Sequence, residues 1–118
     1  MSIKYKTKSG LNGLLRKAEH LATWCGYVEV PERHPLHGAD LYEGNRVNDL
    51  MNLEVHGGVT FADEINGVYY IGFDCAHAGD LVPAYEFECW ETYRDEDYVR
   101  KEIERLAYQI KEFEYEQC

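Results

Sequence analysis

At 118 residues, with 45% apolar and 14% aromatic side chains, the chain has the composition of one folded domain rather than of a disordered segment. Its formal charge of −10 lies wholly in the second half: residues 1–58 carry seven acidic and seven basic side chains, residues 59–118 fifteen and five. Generic binding to DNA, RNA or an anionic membrane is therefore disfavoured, because such affinity rests on clustered Lys and Arg.

The N-terminal MSIKYKTKSG lacks the apolar stretch of a secretion signal, and no run approaches the roughly 20 apolar residues that cross a bilayer. A cytoplasmic location in a host cell, with reduced thiols and no membrane partner, is the expectation. From Leu11 the positions Leu11, Leu14, Leu15, Ala18, Leu21 and Ala22 recur at helical spacing, with Ser9 or Asn12 available as a cap and Gly26 ending the pattern, which predicts an N-terminal helix. GYVEVP reads as a short strand stopped by Pro31. ERHPLHGADLYEGNRVNDLMN follows as a long surface loop rich in Pro, Gly, Asn and Asp.

Two strands, about Leu53 to Phe61 and Val68 to Cys75, are predicted to form an antiparallel hairpin across ADEING, whose Asn66-Gly67 pair favours a tight turn. Tyr85, Phe87 and Cys89 alternate with Glu86 and Glu88 as in a strand with one wet face. Asp95 or Asp97 can cap a last helix whose Val99, Ile103, Leu106, Ala107, Ile110 and Phe113 form one apolar stripe. The expected class is α+β: a small antiparallel sheet built on the central hairpin, with the amphipathic C-terminal helix packed across it, in a single domain spanning 1–118.

Residues 53–80, LEVHGGVTFADEINGVYYIGFDCAHAGD, concentrate chemistry where a core is expected. A hairpin turn centred near residues 64 and 65 sets His56 beside Phe73 and Asp74, an imidazole and a carboxylate within reach of each other. His77 and Asp80 follow at the strand's end. Four readings of these groups stay open: a hydrogen-bonded structural pair, a recognition site for a polar small molecule, an acid–base or hydrolytic site, and a metal site. No cofactor is expected, and the absence of a compact motif such as HExxH argues against a metal. Cys75 lies beside a carboxylate, which weakens it as a thiolate, and reads as a small buried residue. Cys25, Cys75, Cys89 and Cys118 form no CxxC pair, so neither a zinc ribbon nor a thioredoxin-like motif is present. In the loop, Pro35 and Gly38 shape a turn that as a flap would bring Arg33 or His34 to the same pocket.

GYVEVPERHPLHG, LEVHGGVTF, YYIGFDCAHAGD and YRDEDYVRKEIERLA together resemble a family of small, uncharacterised proteins encoded by bacteriophages and prophages, over about residues 25–108. The resemblance implies kinship with phage accessory proteins rather than a particular chemistry, and Arg33 stands where relatives would carry a small residue. By analogy with phage proteins that act on antiviral signalling, the leading expectation is sequestration of a small nucleotide-derived signal by Arg33, His34, His56, Asp74, His77 and Asp80. One alternative is a phosphodiesterase-like hydrolase using His56, Asp74 and His77. Another is an acidic inhibitor that occupies a host protein. A homodimer through the hairpin edge or the last helix stays open in each case.

Overall fold

The computed structural model describes residues 2–19, 21–42, 46–85 and 90–117, with side chains through Phe113. Strands β1 (Ser2–Lys6), β2 (Asn12–Lys17), β3 (Trp24–Glu29), β4 (Phe61–Ile65) and β5 (Val68–Asp74) form one antiparallel sheet in the order β1-β2-β3-β5-β4. A short helix α1 (Val47–Met51) precedes β4, and the long helix α2 (Glu96–Gln117) packs on β3 and β2. This is the expected α+β arrangement, and among the described residues no helix is long and apolar enough to cross a membrane.

The N-terminal helix predicted over residues 11–22 is instead strand β2 and the turn after it. Leu15 faces α2 and is fully buried, while Leu14 on the opposite sheet face is nearly so, packed beside Tyr27 of β3. A strand covered on both faces presents a continuous apolar run, which short windows do not distinguish from a helical face. Gly13 and Gly26, in neighbouring strands, seat the helix. A Cβ at Gly13 would lie 2.9 Å from Ile103, and one at Gly26 would lie 2.6 Å from the Phe73 ring and 2.7 Å from Ile103.

The hairpin forms, with a different register. Ile65 pairs with Val68 and Phe61 with Gly72, so the turn is centred on Asn66-Gly67, both at positive φ as a primed turn requires. Residues 53–60 are not a strand, because Gly57 and Gly58 both take positive φ and Gly58 N–H closes a turn onto the Val55 carbonyl. The strand read at Tyr85 to Cys89 falls largely outside the described residues; Tyr85 itself sits exposed in a bend.

Helix α2 behaves as its stripe requires. Asp95 caps it, accepting from the Tyr98 N–H at 2.9 Å, and Val99, Ile103, Leu106, Ala107 and Ile110 are all fully buried. The segment read as a surface loop contributes to the core instead: Leu36 and Leu50 are fully buried, and the Tyr69 hydroxyl donates to the Ala39 carbonyl.

Candidate functional site

Asp80 is 2% exposed and lies beyond β5 in a turn that allows Gly79 a φ of +93°. Residues 79–81 run beside Thr92: Thr92 N–H donates to the Gly79 carbonyl at 2.9 Å and Leu81 N–H to the Thr92 carbonyl at 2.8 Å. Four donors converge on the carboxylate. His56 Nε2 lies 2.9 Å from both oxygens, His77 N–H reaches Oδ2 at 3.0 Å and His77 Nδ1 the same atom at 3.2 Å, and Arg94 Nε donates to Oδ1 at 2.9 Å. Burial alone would raise the Asp80 pKa. The hydrogen bonds from His56, the His77 backbone and Arg94 outweigh it and hold the carboxyl at about 2, so the group is an anion throughout the physiological range.

His56 is drawn into this arrangement from the glycine-broken segment by two contacts with α2. Its backbone N–H donates to Glu102 Oε1 at 2.8 Å, and its Nδ1 meets the Tyr98 hydroxyl at 2.8 Å. Burial, reinforced by the negative charge of Glu102, raises the Tyr98 pKa, so the phenol keeps its proton and can donate it to Nδ1. Nε2 of His56 can then donate to Asp80, so both ring nitrogens are satisfied. The guanidinium of Arg94 lies 4.9 Å from the Tyr98 ring centroid and closes that side.

His77 is the more open of the two rings. Its side chain is 29% exposed against 13% for His56, and its Nε2 lies 3.5 Å from Oδ1 of Asp74. Asp74, 39% exposed, also accepts from Thr60 Oγ1 and from the Ala76 N–H, each at 3.1 Å. The ring fills the space beside Gly57, where a Cβ would come within 2.2 Å of it.

Of the six residues predicted as a site, the structure brings four together with altered roles. His56 meets Asp80 instead of Asp74, since the true hairpin register leaves it outside the ladder; Asp74 meets His77 at the rim. Arg33 and His34 do not join them. His34 is buried, its Nε2 lying 2.7 Å from the Ile110 carbonyl while its Nδ1 accepts from the Leu36 N–H at 3.0 Å. Ile110 and Tyr98 are twelve residues apart on α2, or about 18 Å along the axis, so the flap closes on the wrong end of the helix for the predicted pocket. Arg33 is exposed beside it.

Sequence reading misses Arg94, Tyr98 and Glu102, which lie in and before the first turns of α2. Arg94 is one of only five basic residues after position 58, which marks it as a candidate counter-ion for a carboxylate in that half. Cys75 is buried and its thiol is pushed up to about 12, chiefly by burial and then by Asp80, so it is no nucleophile. Two clefts, of about 610 Å³ beside Leu53, Tyr108 and Phe113 and about 440 Å³ beside Asp40, Asp63 and Tyr69, lie elsewhere on the surface. Compared with protein-family models, curated proteins and solved structures, the chain matches none.

Proposed function

We propose that the chain is a phage accessory protein that binds and sequesters a small nucleotide-derived signal at the rim formed by His77 and Asp74. The observation that carries this reading is the partly exposed His77–Asp74 pair, held in place from beneath by the buried Asp80. At 3.5 Å the two rim groups are too far apart for a strong mutual hydrogen bond, which leaves donor and acceptor capacity for a ligand. Charge favours one kind of contact. Asp74, Asp80 and Glu102 outnumber Arg94, and Arg94 is committed to Asp80, so the rim suits ribose hydroxyls and base N–H groups better than phosphate oxygens. Arg33 and His34 have no part in this version of the site.

The test is native mass spectrometry of the purified chain with a panel of cyclic nucleotides and ADP-ribose derivatives, repeated after denaturation. Sequestration predicts a ligand retained natively and released intact, with His77→Ala and Asp74→Ala each weakening binding at least about tenfold, the loss of about one hydrogen bond to a charged group. Binding by both variants as tight as wild type would place the ligand elsewhere.

A second reading, hydrolysis of such a nucleotide, rests on a different feature of the same ring. His77 presents Nδ1 to a buried carboxylate and Nε2 outward, the orientation of a general base, with Asp80 rather than Asp74 as the orienting group. Release of cleaved product with turnover would establish it in place of sequestration.

A further inference from the structure

We propose that His56, His77 and Asp80 form a binding site for one divalent transition-metal ion of the zinc type. One potential ligand atom from each of the three residues lies within 4.8 Å of the others. Oδ2 of Asp80 is their common corner, 2.9 Å from His56 Nε2 and 3.2 Å from His77 Nδ1. With zinc–nitrogen and zinc–oxygen bonds of about 2.0–2.1 Å, adjacent ligands of a tetrahedral ion stand roughly 3.3 Å apart. Both oxygen–nitrogen edges are thus within a few tenths of an ångström of that spacing; the third edge would have to close by movement of the partly exposed His77 ring. Arg94 donates to Oδ1, and Oδ2 accepts from the His77 backbone N–H and keeps its second lone pair for the ion.

The outer nitrogens supply an independent observation. A histidine that binds metal through one nitrogen is characteristically held at the other by a hydrogen-bond acceptor. His56 Nδ1 has the Tyr98 hydroxyl at 2.8 Å, and His77 Nε2 has Asp74 Oδ1 at 3.5 Å. Metal binding through Nε2 of His56 and Nδ1 of His77 requires each outer nitrogen to carry a hydrogen: the Tyr98 oxygen accepts it at His56 once its own hydrogen turns away, and Asp74 Oδ1 accepts it at His77 once the ring turns to shorten the 3.5 Å separation. The donor set is two imidazole nitrogens and one carboxylate oxygen. That set suits zinc, cobalt or nickel rather than magnesium or calcium, and it leaves a fourth position for water. The partly exposed edge of His77 is the entry path.

This inference shares residues with the ligand reading but does not rest on it, because its probe is the metal alone. The untagged chain, stripped with chelator, is titrated with Co²⁺ and Zn²⁺ by equilibrium dialysis with elemental analysis and by visible absorption. One ion per chain is expected, with the d–d bands of four-coordinate cobalt and no sulfur-to-cobalt charge transfer. Asp80 and His56 hold three segments together, so the variants are chosen at the rim: His77→Ala abolishes the cobalt spectrum, and Asp74→Asn weakens affinity about 10- to 100-fold. Circular dichroism and urea midpoints are measured alongside to check that both variants fold. No uptake, equal competition by Mg²⁺, a charge-transfer band showing cysteine ligation, or wild-type affinity in His77→Ala would each overturn the proposal.

Discussion

Replacing Asp80 by asparagine keeps the side chain's shape, removes its charge and places an amide NH₂ among four donors: His56 Nε2, the His77 N–H and Nδ1, and Arg94 Nε. The charge contribution follows from linkage. The carboxyl lies at about 2 in the fold against the ordinary 3.8 of an aspartate in the unfolded chain, and a depression of that size corresponds to about 2 kcal/mol of folding stability at neutral pH. Because the folded pKa is the lower one, this stability is fully present above the unfolded value near 4 and is lost as pH falls towards 2. About half is gone by pH 3. Donor–donor opposition adds to the loss at neutral pH, so Asp80→Asn is expected to cost about 2–4 kcal/mol at pH 7. The assay is urea unfolding of wild type and variant in parallel at pH 7 and at pH 3, where changes at the other carboxylates largely cancel in the difference. The gap should shrink by about 1 kcal/mol at the lower pH. An equal gap at both values, or a gap below about 0.5 kcal/mol at pH 7, would mean that Asp80 is not held as an anion by its donors.

Gly26→Ala places a methyl group against the Phe73 ring and Ile103 and should lower stability by about 1–3 kcal/mol, read as a shift in urea midpoint. Cys75, buried and with its thiol at about 12, should resist alkylation in the native state; peptide mapping that finds Cys75 labelled as fast as in urea would contradict its burial. His34→Ala removes the contacts to the Ile110 carbonyl and the Leu36 N–H, so it should destabilise the fold by roughly 1–3 kcal/mol while leaving any affinity measured at the rim within about twofold. A selective loss of ligand affinity in that variant would return His34 to the binding site.

How far the sequence can be read depends on whether a segment's burial is one-sided. Helix α2 has a single buried stripe from Val99 to Ile110, and its pattern and Asp95 cap are legible from spacing. Strand β2 has Leu14 and Leu15 buried on opposite faces, so its period of two is lost and the spacing reads as helical instead. The hairpin is legible from Asn66-Gly67, but a centre at 64 and 65 carries His56 to the wrong carboxylate. His56, His77 and Asp80 stand out in the sequence as chemistry-bearing residues, whereas their connection depends on Tyr98, Glu102 and Arg94, fourteen or more positions further on. Such distant pairing leaves no periodic trace. His34 misleads for a related reason, since the helix end that buries it lies 76 positions away.

The pairing of β3 with β5 has a consequence for the order of assembly. β1, β2 and β3 are joined by short turns, as are β4 and β5, so each group can form from local contacts, whereas the Glu29–Tyr70 pair encloses the 40 residues 30–69. Closing a flexible loop of that length costs about 3 kcal/mol of chain entropy beyond a constant, and no single backbone pair returns that much. The central ladder is therefore expected to act as the kinetic seam between two groups of locally paired strands. Val28→Ala on the seam should slow folding, while Ile3→Ala at the outer strand should mainly speed unfolding, a contrast that stopped-flow refolding measures directly.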